Sequence, residues 1–545
     1  MAENTEEIAD TLPEQMSEQK TLSDEYSVKP NTLPTRPLSD IKTLARGAQT
    51  RLAAWRGRTE KGQPRDLLTP FGSSEGRQTI TSRLLEIATE NVDDRIADLE
   101  MNEAKKVGTL SIMLPWVNRR GTLAPYWTSP DTGWDTSLFM EAEQRVSAMV
   151  PQSLRPLTFD NAAERLPSNT ALGLPLVSSD SNAIPEYLER ARNLSSVFDI
   201  YPSICYWRGQ AEGPGEVPKQ RIVWGFDHAE TIASGRYLHP TLEVLKTRPE
   251  FAAWQGPDEV DRQVYTYLRP FAESKEGSRY ISVDYSGFDT SVSREMISMA
   301  FRILRKWFPG EDEMLEILEE VFSTSGMVTP DGWHFGRDGA VPSGSALTNL
   351  IDTIVNSFIV EYSSLKRGQD VRYLALGDDT LVAGSLTAED LAEDAKELGF
   401  EVGLDKSRES DETADFLRRL YIFEDGWANG VASIVRRASS LSGYERFRKD
   451  WNQYLEAMRN IMLLEVCKYH PRLPEFVEYI ADNDRVLAST DPLTIASRAG
   501  GSKKIESMLG VESYRGSGRR VSELAEFASV RLLQEKRFGR TSGAV

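Results

Sequence analysis

The sequence predicts an α+β fold, a hairpin and a strand among amphipathic helices, on the strength of three stretches. Residues 371–384 (VRYLALGDDTLVAG) set apolar runs on either side of Gly-Asp-Asp and read as a β-hairpin with an acidic pair at its tip. Residues 280–283 form an apolar strand running into Asp284, with Asp289 five positions later beyond a turn at Gly287. Apolar residues then recur at helical spacing, first at Met296, Ala300, Ile303, Leu304 and Trp307, later at Leu350, Ile354, Phe358 and Tyr362.

A chain of 545 residues is long enough for several subdomains around a substantial core. Its 40% hydrophobic and 27% charged content fit a soluble globular protein. No apolar run reaches bilayer length, and the opening MAENTEEIAD lacks the apolar centre of a signal peptide, so no membrane partner is expected. Two cysteines, Cys205 and Cys467, give no disulfide framework; with only four scattered histidines a zinc site is not expected either. Metal chemistry would therefore rest on carboxylates, which suits Mg²⁺ or Mn²⁺. The net charge of −19 argues against coating nucleic acid over the whole surface, but says nothing about the lining of an internal channel.

Residues 1–40 carry nine acidic against three basic residues and four prolines, the composition of a loosely draped arm. The sign reverses from Ile41. Lys42, Arg46, Arg51, Arg56, Arg58, Lys61 and Arg65 meet only Glu60, while Ile41, Leu44, Ala48, Leu52 and Trp55 recur at helical spacing. That basic amphipathic helix reads either as a phosphate contact or as a solvated surface. Helices are also predicted over 83–96 and 186–192. In the strand 217–224, Lys219 and Arg221 alternate and so share a face, which fits a clamp for an anion such as a triphosphate and equally a strand facing water.

Asp284 and Asp289, at a strand end and a tight turn, read as metal ligands or as caps. Residues 340–349 (AVPSGSALTN) make a flexible loop feeding a helix; its amides and hydroxyls suit phosphate and sugar, and equally an ordinary Ser-capped start. Gly377 lets the chain turn so that Asp378 and Asp379 project together, where a cation would offset their repulsion; a plain Asp-rich turn is the alternative. Thr387 and Asp390 form a capping box for a helix ending at Gly399, followed by a strand over 400–404 and Asp405-Lys406-Ser407. Residues 416–422 read as a strand with a basic patch, and 444–468 and 522–536 as helices. Residues 537–545 read as a basic, flexible tail.

In order and spacing, these pieces resemble the motif series of viral RNA-dependent RNA polymerases. Lys219 and Arg221 look like the nucleotide clamp of the fingers, and Asp284 and Asp289 match D-x4-D. Ser343-Gly344 with Thr348-Asn349 matches SGxxxTN, Gly377-Asp378-Asp379 matches GDD, Lys406 fits the lysine of the next motif, and 416–419 the primer grip. Size and the wording VPSGS…TNLIDTIVN are most similar to polymerases of bisegmented double-stranded RNA viruses, picobirnaviruses first and partitiviruses second.

The resemblance implies a right hand: an N-terminal arm and basic helix over 1–65, fingers with some palm over 66–280, an antiparallel palm over 281–425, and a mainly helical thumb and tail over 426–545. It implies two Mg²⁺ or Mn²⁺ ions on Asp284, Asp378 and Asp379, with Lys406 as general acid toward pyrophosphate. Asp289, with Asn349 and Ser343 or Thr348, would hold the ribose 2′-hydroxyl; Lys219 and Arg221 the triphosphate; Arg418 the nascent strand. Gly344 belongs to the same nucleotide loop. Implied partners are RNA template and product, ribonucleoside triphosphates and a viral capsid protein, with the chain a monomer in the virion interior and host cytoplasm. A reverse transcriptase would carry a bulky aromatic where this chain has Asp289. An inert RNA-binding structural protein would have no reason to keep three converging carboxylates.

Overall fold

The computed structural model describes residues 33–41, 46–63, 65–166, 171–178, 180–446, 450–509 and 520–539. Strands β1 (Thr35–Arg36), β2 (Ser203–Gln210), β3 (Lys219–Gly225), β4 (Arg279–Val283), β5 (Met327–Thr329), β6 (Gly332–His334), β7 (Val371–Leu376), β8 (Asp379–Gly384), β9 (Arg408–Ser410), β10 (Thr413–Phe416), β11 (Arg419–Ile422) and β12 (Val431–Ala432) form three sheets. Their orders are β7-β8-β4-β9, β1-β6-β5-β2-β3 and β10-β11-β12.

The first sheet is antiparallel throughout, and its strands β4, β7 and β8 are largely buried on both faces, which is why they read as nearly continuous apolar runs. Successive side chains enter different cores, as the two-residue period of a strand requires. Ile281, Val283, Tyr373, Ala375 and Val382 join helices Arg294–Trp307 and Thr348–Arg367. Tyr280, Leu374, Leu376, Leu381 and Ala383 join Ala414, Phe416 and Tyr421 from the third sheet. Helix Arg294–Trp307 sends Met296, Ile297, Met299, Ala300, Ile303, Leu304 and Trp307 inward and keeps Arg302 and Lys306 on Glu143. Helix Thr348–Arg367 is buried almost all round, about 30 Å of it running beneath the sheet.

Helices Gln453–Val466, Leu473–Asn483 and Ala528–Phe538 build another core, to which Phe71, Ile80, Leu84 and Val107 also belong. Phe71, Ile80, Leu84 and Val107 therefore pack on the C-terminal helices, while Ile96 between them packs on Leu420, Ile422 and Val431.

Several local expectations are corrected. The helix expected over 83–96 is two, Arg77–Thr89 and Asp94–Ala104, broken where Asn91 turns left-handed (φ 51°) and Asp93 caps the second. The basic helix runs Arg46–Lys61, with Ile41 outside it and Ala48, Leu52 and Trp55 buried; Lys42 and Leu44 lie outside the described residues. Residues 400–404 contribute only the bridge Tyr285↔Val402, and 404–406 turn instead. Residues 416–422 are a hairpin, since Phe416 pairs with Arg419 and both Leu417 and Arg418 take positive φ. The helices expected over 444–468 and 522–536 are Gln453–Val466 and Ala528–Phe538, the latter after a 3₁₀ turn Val521–Glu526.

Within the described residues, part of each terminal stretch is tied down. Thr35–Arg36 pairs with β6, and the Arg36 guanidinium lies 4.7 Å from the Phe335 ring centre. Arg537 closes a helix and pairs with Asp482, while 540–545 and 1–32 lie outside the described residues.

Candidate active site

The hairpin tip is built by register. Leu376 pairs with Asp379, leaving Gly377-Asp378 as the turn, and Val283 pairs with Thr380, so Asp284 follows directly opposite Asp379. Gly377 sits at φ 62°, and a Cβ there would stand 3.0 Å from Asn349 Nδ2. Helix Thr348–Arg367 grips the turn from below. The Gly377 N–H donates to Thr353 Oγ1 (2.8 Å) and Asn356 Nδ2 donates to the Gly377 carbonyl (2.9 Å), from side chains three apart on one helix face. Tyr285 OH donates to Asn356 Oδ1 at 3.3 Å, tying the strand end to the same support. Asp284 is held by its backbone: its N–H donates to Ser407 Oγ (3.1 Å) and its carbonyl accepts from Gly403 N–H (2.8 Å). Those two bonds bracket the turn that carries exposed Lys406 beside the site.

Asp284, Asp378 and Asp379 are exposed while the strands beneath them are buried. Among the described residues no three carboxylate, imidazole or thiol groups make a ready-formed metal cage. An open ledge of carboxylate oxygens nonetheless fits Mg²⁺ or Mn²⁺, since Mg²⁺ keeps several waters and takes one or two carboxylates together with substrate phosphates.

Beside the ledge lies a polar pocket. Asp289, in the single turn Phe288–Ser291, accepts a short hydrogen bond from Ser343 Oγ, and its carbonyl accepts from Val341 N–H (2.6 Å). Burial lifts the Asp289 carboxyl to about 6; Asp378 adds to the lift, while Ser343 and Arg221 oppose it. The Ser343 carbonyl accepts from Trp224 N–H (2.9 Å), locking this loop to β3. Thr348 Oγ1 donates to the Pro342 carbonyl (3.0 Å) and accepts from Gly344 N–H (3.3 Å). Asn349 Oδ1 accepts from Trp254 Nε1 (2.9 Å), which aims its amide nitrogen at Gly377.

Lys219 and Arg221 share an exposed face of β3, as their alternation predicts. Arg221 lies near Asp289, whose carboxyl it helps keep ionised, and lines a large cavity; Lys219 stands two residues along, paired with Gln210, beyond that lining. The cavity encloses ≈ 1530 Å³ and reaches from Gly344 to Arg418 at the tip of the β10–β11 hairpin. Nine arginine and lysine side chains line it against three glutamates, although acidic residues outnumber basic ones 83 to 64 in the chain. Positive charge is thus concentrated inward.

Residues 140–457, more than half of the chain, match the family described as viral RNA-dependent RNA polymerase. The chain belongs to that family. A potential RNA-dependent RNA polymerase of human picobirnavirus is 24% identical to this polymerase over 463 residues, spanning 80% of this chain and 85% of the relative. An RNA-directed RNA polymerase of Cryptosporidium parvum virus 1 is 28% identical over 281 residues, 47% of this chain and 52% of that one. The crystal structure of a human picobirnavirus RNA-dependent RNA polymerase superposes with a TM-score of 0.76 at 23% identity, covering 90% of this chain and 99% of the other. The fold is therefore the right-hand polymerase fold of fingers, palm and mainly helical thumb.

Sequence reasoning missed several residues that build this candidate site. Asp352 is buried one turn beyond Thr348, with Oδ1 unpartnered, and burial followed by the nearness of Asp289 and Asp378 lifts its acid well above the usual range. The available signal was a polar stripe, Asn349, Asp352, Thr353 and Asn356, at helical spacing in an otherwise apolar helix. Glu230, fully buried, accepts from Ser234 Oγ (2.7 Å) and from Ser345 Oγ (3.0 Å), and Ser345 Oγ in turn accepts from Leu347 N–H (3.2 Å). Buried Arg337 donates to the Ser325, Gly339 and Ala340 carbonyls and lies 4.8 Å from the Trp224 ring centre, bracing both sides of the Ser343 loop. No local pattern marks Glu230 or Arg337, because their partners lie far away in sequence.

Proposed function

We propose that this polymerase copies an RNA template by two-ion phosphoryl transfer from ribonucleoside triphosphates, in replication and transcription of a viral RNA genome. The observation that carries the reading is the register that sets Asp284 opposite Asp379 at the hairpin tip, next to the Asp289–Ser343 pair. Phosphoryl transfer depends on positioning and charge neutralisation more than on covalent help from the protein. Mg²⁺ or Mn²⁺ ions on Asp284, Asp378 and Asp379 would neutralise triphosphate charge and acidify the attacking 3′-hydroxyl.

The remaining work falls to side chains. Arg221, backed by Lys219, receives the triphosphate. Asp289 accepts a hydrogen bond from the ribose 2′-hydroxyl, steadied by Ser343, while Gly344, Thr348 and Asn349 shape that pocket. Lys406 is the proposed proton donor to pyrophosphate, and Arg418 meets the phosphates of the nascent strand. The inward concentration of cations supports RNA passing through the central cavity rather than over the acidic exterior. Residues 66–280 are proposed as fingers, 281–425 as palm and 426–545 as thumb, with Phe71, Ile80, Leu84 and Val107 packed on the thumb helices. Action as a monomer, in the virion interior and host cytoplasm and beside a capsid protein, completes the proposal.

The test is incorporation of labelled ribonucleotides on a single-stranded RNA template with Mg²⁺ or Mn²⁺, comparing the wild type with a variant in which Asp378→Ala and Asp379→Ala are combined. Template-dependent product from the wild type alone is expected. Equal product from both would place the chemistry elsewhere and end the reading.

A further inference from the structure

Trp254 lies 95 positions before Asn349, in the 3₁₀ stretch Pro249–Trp254 and outside every motif that the sequence offers. The fold brings its indole to the pocket proposed for the ribose, where Nε1 donates to Asn349 Oδ1 at 2.9 Å. The stretch that carries it is firmly held. Phe251 is buried in one core with Leu350 and Ile354, and Ala252 and Ala253 are buried in the other with Leu374 and Leu381. The Trp254 ring lies against Phe251, with centres 5.5 Å apart. The Asn349 backbone is fixed just as closely. Its carbonyl accepts from Thr353 Oγ1 (2.6 Å), the same hydroxyl that receives the Gly377 N–H (2.8 Å).

An asparagine amide has two ends of nearly equal size, one accepting and one donating, so shape alone does not decide which end meets a ligand. The indole N–H can only donate, and it therefore selects the oxygen. The amide nitrogen is left facing the hairpin tip, 3.0 Å from where a Cβ on Gly377 would stand, and Asn349 is exposed there. We infer that Trp254 is a positioning residue for sugar selection: its N–H turns the Asn349 amide so that the NH₂ group donates to the 2′-hydroxyl oxygen of the incoming nucleotide, while that hydroxyl donates its own proton to Asp289. Asn349 and Asp289 then read the accepting and the donating halves of one hydroxyl. The inference rests on the ribose reading of Asp289 and Asn349 and extends it to a residue outside the motifs. A deoxyribonucleotide offers neither half, so the effect appears as a ratio between the two sugars.

The test is Trp254→Phe in the full chain, which keeps an aromatic ring against Phe251 and removes the N–H, with thermal melting to confirm the fold. Single-nucleotide incorporation is measured for a ribonucleoside triphosphate and its 2′-deoxy analogue, beside the wild type, Asp289→Ala, Asn349→Ala, Asn349→Asp and the Trp254→Phe/Asn349→Ala double variant. The expected result is a fall of about fivefold in the ribo-to-deoxy ratio of kcat/KM, the value of one neutral hydrogen bond, carried mainly by a higher KM for the ribonucleotide. In the Asn349→Ala background the same change adds less than twofold, because the route through the amide is already gone. Asn349→Asp keeps an oxygen for the indole and exchanges only the donating end for an accepting one, so it lowers the ratio at least as far, whether or not Trp254→Phe folds. An unchanged ratio in folded Trp254→Phe or in Asn349→Asp, or an equal fall from Trp254→Phe once Asn349 is replaced, overturns the inference alone where Asp289→Ala still collapses the ratio. Trp254 is then an aromatic anchor. A wild type that uses both sugars equally, or a ratio untouched by Asp289→Ala, removes the ribose reading and this inference together.

Discussion

Gly344→Ala tests whether the proposed nucleotide loop works by its close approach to β3. Gly344 sits at φ 144°, and an added Cβ would lie 2.2 Å from the Trp224 carbonyl oxygen, 3.0 Å from its carbon and 3.2 Å from its nitrogen. All three atoms are backbone of a paired strand, so no side-chain rotation relieves the contact. Reaching ordinary van der Waals distance requires a separation of roughly 1 Å, which breaks the 2.9 Å bond from Trp224 N–H to the Ser343 carbonyl. Losing that bond costs about 1–3 kcal/mol where its groups stay buried, and the left-handed φ about 1–3 kcal/mol more. The loop responds by moving, taking Ser343 away from Asp289. A displacement of that size at a positioning group lowers the rate on the order of 100-fold. Steady-state single-nucleotide extension reads the effect as kcat/KM, and thermal melting confirms that the variant is folded. A folded Gly344→Ala polymerase within threefold of wild-type kcat/KM would refute the reasoning.

Glu230→Gln separates the titration of a buried carboxyl from its hydrogen bonds. Burial, aided by Asp227, lifts Glu230 from 4.5 to about 7, so the folded state binds a proton that the unfolded state releases across that window, and stability falls as pH rises through it. Gln keeps an oxygen for Ser234 and Ser345 without that loss. Its stability relative to wild type should rise by on the order of 1–3 kcal/mol between pH 5 and pH 8, as read by denaturant melts, and a pH-independent difference would defeat the argument. Arg418→Gln should weaken RNA binding alike on all template sequences and make the slope of log affinity against log salt shallower by about 0.7–0.9; an unaltered slope would mean that Arg418 touches no phosphate.

What the sequence by itself determined about this polymerase is what neighbouring residues decide together. Short apolar runs bounded by turn residues defined the strands flanking Gly377-Asp378-Asp379 and the strand ending at Asp284, and Thr387 with Asp390 announced the helix that they cap. Even the local record failed where backbone geometry departed from the usual residue preferences. Leu417 and Arg418 make a tight turn at positive φ without the glycine or asparagine that normally signals one, so a hairpin read as a single strand. Asn91 broke a helix whose apolar spacing seemed continuous.

Tertiary structure alone decided the rest. Asp284 faces Asp379 only because β4 pairs with β8 in one register; a slip of one residue would turn every side chain of β4 to the other core. Asp352 becomes a buried acid only when helix Thr348–Arg367 lies under the hairpin, and Trp254, Glu230 and Arg337 acquire roles only when distant segments converge on one loop. Periodicity and turn chemistry are written in adjacent residues. The burial and partner of a given polar group belong to whichever segment packs against it, and that depends on the whole chain.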